Sequence, residues 1–222
     1  MRRYWQTGPL LVLLIHLPSA AQENRHPVTG RVYAGIMGVG GADWLERAER
    51  EREEHPRLAV QLLDLRAGLM VADIGSGSGY YTSLLSRAVG PLGKVYAADI
   101  QPGMIRLLQE RIRREKLVNV EPILSTASDP RLPPSSLDLA LMVDVYHELA
   151  EPQVILRKIR EALKPGGRLV LLEFRKEDPT VPIRPEHKMS VAEVRAELEP
   201  EGFRFERVLN DLPWQHILIF RR

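Results

Sequence analysis

The chain is expected to fold as α/β, a doubly wound Rossmann-like sheet, and three observations point there. From Leu69 onward, short apolar runs alternate with amphipathic stretches, the pattern of strands crossing over through helices. The first run ends in Asp73-Ile74-Gly75-Ser76-Gly77-Ser78-Gly79, an acid followed by three alternating glycines. The last two runs are joined only by Asn210-Asp211-Leu212-Pro213. So short a connection makes a hairpin, and one strand must run antiparallel to its neighbours. At 222 residues, 44% hydrophobic and 27% charged, the chain has ample length and apolar content for such a core.

Arg2 and Arg3 precede an apolar stretch from Leu10 to Leu17, broken only by His16, and then Pro18-Ser19-Ala20-Ala21. A positive start, a short apolar run and small residues predict an export signal over residues 1–21, cut after Ala21. That places the protein in a periplasm or outside the cell. The run falls short of the roughly 20 residues a membrane span takes, so no stable span is expected. A mis-assigned start, with Met37 or an unseen residue as the true beginning, would instead leave the protein cytoplasmic.

Residues 22–42 are polar and glycine-rich and read as an extended or mobile arm. Asp43 to Glu54, dense in Glu and Arg, reads as a helix capped by Asp43. Pro56 restarts the helix, and Leu58, Leu62 and Leu65 give it one buried stripe before Gly68. The domain proper is 43–222. Its strands are 69–74, 95–99, 120–124, 137–143, 168–174, 203–209 and 215–220. The segment Leu137 to Val143 is nearly all apolar, as in a strand covered on both faces. Helices fall between the strands. Pro102 opens one carrying Ile105, Leu108 and Ile112. Pro152 opens another carrying Ile155, Ile159 and Leu163, ended by Lys164-Pro165-Gly166-Gly167. Ser190 and Glu193 form a capping box ahead of Val194 and Leu198.

Ligands in such sheets bind at the carboxyl ends of the strands. Glycines there let the backbone approach a ligand with no Cβ in the way. A dinucleotide fold asks for a third glycine where Tyr80 stands, and the spacing here is G-x-G-x-G after an acid. S-adenosylmethionine (SAM) has no pyrophosphate but carries an ammonium. Asp73 would complement that ammonium directly or through water. Asp99, ending the next apolar segment Val95-Tyr96-Ala97-Ala98, can accept from both ribose hydroxyls.

With these motifs in view, the chain resembles the class I SAM-dependent methyltransferases. Val71 through Tyr80 resembles their first motif, Val95 through Ile100 followed by Pro102-Gly103-Met104 their second, and Leu163 through Leu169 their turn before the fifth strand. The likeness spans residues 43–220 and is closest to the small-molecule group that includes quinone-biosynthesis C-methyltransferases. It implies seven strands in the order 3-2-1-4-5-7-6 with strand 7 antiparallel, SAM as cofactor, and methyl transfer to a small-molecule acceptor. It places Asp73, Gly75, Ser76, Gly77, Gly79, Asp99, Ile100, Met104 and Asp144 around the cofactor. In the family an Asp-Ala pair after strand 3 often meets the adenine. Here the segment is Ser125-Thr126-Ala127-Ser128-Asp129-Pro130, so Ser128 or Asp129 takes that role.

Methyl transfer from a sulfonium is an in-line displacement that asks mainly for alignment and exclusion of water. Past strand 4, Asp144-Val145-Tyr146-His147-Glu148 offers His147 as a base and Tyr146 as a wall of the transfer cavity; otherwise His147 bridges to the next helix. A metal reading of His147, Glu148 and His187 is set aside, because adjacent residues do not share a helix face and no second His follows four residues on. Tyr33, Met37, Trp44 and Arg47 suggest a lid, with Trp44 read first as packing. Pro185 to Met189 reads as a solvated loop. The absence of cysteine excludes disulfides, thiolate metal sites and thiol nucleophiles. A net charge of +2 with no basic block interleaved with aromatics gives no nucleic-acid footprint. Two rivals stand: an NAD-dependent oxidoreductase, disfavoured by Tyr80 and the Pro-Gly-Gly turn, and a non-catalytic SAM-binding module.

Overall fold

A computed structural model of the chain describes residues 24–222, and the expected export signal lies outside the described residues. Three short helices come first: α1 (Ala42–Leu45), α2 (Arg50–Glu53) and α3 (Pro56–Leu62). Alternating elements follow: β1 (Met70–Ile74), α4 (Tyr80–Val89), β2 (Lys94–Asp99), α5 (Pro102–Glu115), β3 (Val120–Leu124) and β4 (Leu137–Val143). A tight turn at Tyr146–Glu148 leads into α6 (Pro152–Ala162) and β5 (Leu163–Arg175). A second turn at Pro185–His187 precedes β6 (Lys188–Met189), α7 (Val191–Leu198), β7 (Arg204–Leu209) and β8 (Gln215–Arg221).

The sheet order is β3-β2-β1-β4-β5-β8-β7, with β6 paired to β5. The expected order 3-2-1-4-5-7-6 is corrected by one added element. Lys188 and Met189 form a two-residue strand parallel to β5, which moves the numbers of the last two strands up by one. The hairpin expectation holds, since β8 runs antiparallel to both β5 and β7.

Alternation along each strand sends neighbouring side chains to opposite faces. On one face Val71, Leu139, Leu141, Val170 and Ile217 pack with Val60 and Leu85 from α3 and α4. On the other, Ala72, Ala140, Met142, Leu171 and Leu218 pack with Ile155, Ile159 and Val194 from α6 and α7. Central strands buried on both faces carry almost no polar residue, which makes Glu173, fully buried in β5, conspicuous. The edges are blunted. β3 carries Pro122 and β7 carries Arg204, Glu206 and Arg207.

Three further expectations change. Asp43 to Glu54 is two short helices, with Gly41 rather than Asp43 at the first cap. Guanidiniums claim the carbonyls that a continuous helix would use: Arg47 Nη1 donates to Trp44 O at 2.8 Å and Arg50 Nη1 to Leu45 O at 2.9 Å. Lys164-Pro165-Gly166-Gly167 lies within β5 as an excursion, because Leu137 pairs with Leu163 and Leu139 with Arg168. Finally, residues 24–42 pack onto the domain. Arg31 grips Glu197 of α7 through Nε at 2.9 Å and Nη2 at 3.0 Å, both side chains buried.

Candidate active site

A cavity of about 580 Å³ opens at the carboxyl ends of β1, β2, β4 and β5, where a doubly wound sheet holds its ligands. Its floor is the glycine turn. Gly75, Gly77 and Gly79 have φ of +73°, +53° and +87°, a region that favours glycine. A Cβ on Gly75 would stand 2.4 Å from Val145 Cγ2, so side chains are excluded there on two counts. The amides of Gly75 and Ser76 donate to Ala98 O, which ties the turn to the end of β2.

Asp99 completes that tie. Its Oδ2 accepts from Gly77 N at 2.9 Å and its Oδ1 from Gln101 N at 2.8 Å. Burial lifts its pKa, and the amides of Gln101 and Gly77 oppose the lift. Each oxygen keeps a lone pair, and the residue stands in the cavity wall beside Ile100 and Met104. Across the cavity, Asp144 sits at φ +53° past the end of β4. Its Oδ2 accepts from Gln215 Nε2 at 2.6 Å, while its Oδ1 is buried without a partner. Burial first, then the charges of Glu54 and Glu173, push its pKa well above the carboxylate range. An orphaned buried carboxylate oxygen at φ > 0 asks for a donor from a ligand. An ammonium group meets that need, so these residues fit the amino-acid end of SAM.

Asp73 is placed differently from its expected contact. Its Oδ2 accepts from Thr82 Oγ1 at 2.5 Å, and it is 2% exposed behind the turn, outside the cavity wall. Burial raises its pKa to about 6. It braces α4 rather than facing a ligand. Ser76 is likewise buried outside the wall, its Oγ unpaired. Gly79 starts α4 and also lies off the wall. After β3 the wall is made by Ser125, Thr126 and Ala127. Ser128 and Asp129 lie outside it, with Asp129 turned to the Arg131 amide at 2.7 Å. An Asx-type turn over these residues sets a register that sequence alone left open.

Tyr146 is the clearest correction. Its ring is fully buried away from the cavity, and its hydroxyl donates to Glu197 Oε2 at 2.9 Å. In the one-turn helix Tyr146–Glu148 successive residues point apart, so Tyr146 faces the core and His147 the cavity. The His147 ring is set by Glu173, whose Oε2 accepts from Nδ1 at 2.5 Å. Glu173 Oε1 accepts from Tyr146 N at 3.0 Å. A carboxylate only accepts, so Nδ1 carries a proton and Nε2 is the ring nitrogen turned toward the cavity. His187, expected in a solvated loop, lies 3.1 Å from that Nε2 through its own Nδ1. Glu148 joins them on the wall, its pKa raised to about 7 by burial against the opposing pull of His147.

The lid reading gains a wall. Ile36, Met37, Trp44, Leu45 and Arg47 line the cavity, whereas Tyr33 does not. Arg47 stacks on Trp44 at 3.7 Å and shares buried Glu54 with Arg50. Sequence reasoning missed Arg50, Glu54, Glu173 and Gln215. The Arg50–Glu54 pair is hidden in a charged run that reads as a solvated face. Glu173 had a signal, an acid between the apolar run Leu169-Val170-Leu171-Leu172 and Phe174.

The family model described as a methyltransferase domain matches residues 72–171. A SAM-dependent methyltransferase from Aquifex aeolicus is similar in structure, with a TM-score of 0.79 and 30% identity over 84% of this chain and 99% of that one. The chain belongs to the class I SAM-dependent methyltransferases. This methyltransferase is also 34% identical over 121 residues to a ubiquinone/menaquinone biosynthesis C-methyltransferase of Pasteurella multocida, covering 54% of this chain and 45% of that one. The counterpart from Escherichia fergusonii matches equally, over 48% of its length. The chain thus spans about half the length of the curated relatives it matches. SAM is the cofactor of the family, and the glycine turn, Asp99 and Asp144 are the residues here that fit it.

Proposed function

We propose that this methyltransferase moves the SAM methyl group to a small-molecule acceptor. The observation that carries the reading is one cavity with two unlike ends. The glycine turn, Asp99 and Asp144 form the cofactor end, and His147, Glu148 and His187 line the end past β4 and β5. SAM supplies an activated methyl on a sulfonium, so no protein nucleophile is needed. The chain's own work is alignment and exclusion of water. Ile36 to Arg47 and the segment 182–187 roof the cavity, and Glu173 holds the His147 ring in one orientation. His147, Glu148 and His187 are polar side chains that line this end. The enclosed volume suits a small molecule rather than a polymer. Likeness to the quinone-biosynthesis enzymes makes hydroxylated aromatic rings the first acceptors to try.

The test is calorimetry with SAM, S-adenosylhomocysteine and NAD, followed by methyl-labelled SAM against a panel of phenols, hydroquinones, amines and thiols. Binding of NAD in place of SAM overturns the reading. Tight SAM binding with no label transferred to any acceptor favours a non-catalytic SAM-binding module. We further propose that residues 1–21 direct export. Native protein beginning at Gln22 supports this, and native protein beginning at Met1 refutes it.

A further inference from the structure

Three nitrogen and oxygen donors converge on the acceptor side of the cavity from two separate turns. His147 and Glu148 come from the turn after β4, and His187 from the turn before β6. One ligand atom from each lies within 4.8 Å of the others. We infer that His147, Glu148 and His187 form a binding site for a first-row divalent cation of the zinc type.

The geometry of the two imidazoles is the strongest support. Two nitrogens on one tetrahedral zinc, each at about 2.0–2.1 Å, stand about 3.3 Å apart. His147 Nε2 and His187 Nδ1 stand 3.1 Å apart, with ring planes at 81°. Glu173 has already taken Nδ1 of His147, which leaves Nε2 as the ring nitrogen available to a ligand. A ligating histidine held by a carboxylate on its far nitrogen is the usual support of a metal site. Glu148 stands in the same cavity wall and brings a carboxylate oxygen within 4.8 Å of both imidazole nitrogens, the third position of the site. Two imidazoles and one carboxylate favour zinc and its transition-metal neighbours over magnesium or calcium, which prefer all-oxygen shells.

The objection raised by sequence spacing does not survive the fold. Successive residues diverge on this turn too, yet His147 and Glu148 each bring one ligand atom within 4.8 Å of the other and of His187 from a distant loop. Three protein ligands leave a coordination position open, and it faces the cavity. Resting on the methyl-transfer reading, the inference narrows the acceptor to one presenting an ionisable oxygen. The cation would bind that oxygen and favour loss of its proton to solvent. The oxyanion would then take the methyl, an O–CH3 bond forming as the S–CH3 bond breaks and the sulfonium leaves as the neutral thioether.

The experiment uses untagged full chain, stripped with chelator, titrated calorimetrically with Zn2+, and separately loaded with Co2+ for its visible absorption. Expected are one site per chain with Kd below about 10 μM and visible bands typical of four- or five-coordinate cobalt. His187→Ala and Glu148→Gln should each weaken binding at least tenfold, and Glu173→Gln by 10- to 100-fold through the lost support of His147. Thermal melts and SAM titrations on the same samples separate misfolding from loss of the site. No binding tighter than 100 μM, or binding unchanged in folded His187→Ala, overturns the inference. SAM binding that persists in such a sample leaves the methyltransferase reading standing, whereas loss of SAM binding by wild type would sink that reading instead.

Discussion

Replacing Asp99 with asparagine separates the brace it gives the glycine turn from the ribose contact proposed for it. The carboxylate accepts one backbone amide on each oxygen, from Gly77 at 2.9 Å and Gln101 at 2.8 Å. Asparagine keeps the shape but turns one oxygen into an N–H donor. One backbone amide then faces a donor and loses its bond, at a cost of about 1 kcal/mol in stability. The same exchange removes one acceptor for a ribose hydroxyl together with the negative charge. A hydrogen bond to a charged group contributes about 1.5–3 kcal/mol net, which is roughly tenfold to a hundredfold in affinity. Urea unfolding reads the first effect, and calorimetry with S-adenosylhomocysteine reads the second. The ribose assignment has its own control. A 2′-deoxy analogue should lose affinity for the native chain but little for Asp99→Asn, because the partner is already gone. Native-like affinity in the variant, or an equal loss for both ligands in both proteins, would refute the ribose role.

Gly75→Ala should cost about 2–5 kcal/mol, combining a strained φ of +73° with a Cβ 2.4 Å from Val145. Gly166→Ala, at φ +76° with open space around it, isolates the backbone share at about 1–2 kcal/mol; equal urea midpoints for the two variants would contradict the steric account. Tyr146→Phe should lower stability by about 1–3 kcal/mol through its lost bond to Glu197, with SAM affinity within twofold. A selective fall in SAM affinity there would return Tyr146 to the cavity. The Asp73 pKa is raised to about 6 by burial, above its unfolded value of about 3.9. The native state therefore holds the proton longer, so this contribution is full below pH 4 and is lost as pH rises through 6. A shift of about two units is worth up to about 3 kcal/mol. Asp73→Asn should flatten stability between pH 4 and 7, and an unchanged slope in urea titrations would remove Asp73 as its source.

The glycine turn and its tie to Asp99 are legible from the amino-acid order because they are local. Asp99 follows the glycine turn by one strand–helix–strand repeat, and the turn needs glycine for reasons of φ and space that leave a mark in the chain itself. The buried stripes of α5 and α6 and the capping box of Ser190 and Glu193 are local in the same sense. What is local in sequence but ambiguous in register fails by a residue or two. Thr126 and Ala127 line the cavity where Ser128 and Asp129 are expected, because a side chain–backbone turn, not periodicity, places them.

The acceptor end obeys a different logic, and that is why it stays hidden. Its polar groups are assembled across long separations: Glu173 on His147 from 26 residues away, and His187 on the same ring from 40. No periodicity links such residues. Only burial does, since an acid in the middle of a central strand must find a donor or carry the full cost of desolvation. Glu173 in β5 and Glu197 in α7 are both fully enclosed, and each organises its surroundings. Glu173 turns His147 to the cavity, while Glu197 gathers Arg31, Thr29 and Tyr146 and so fastens the N-terminal segment to the domain. Of the two, only Glu173 leaves a sequence signal, a carboxylate between Leu172 and Phe174, whereas Glu197 is lost among the charges of α7. Followed to its partners, Glu173 leads to His147 on the cavity wall and Glu197 to the clasp on the N-terminal segment.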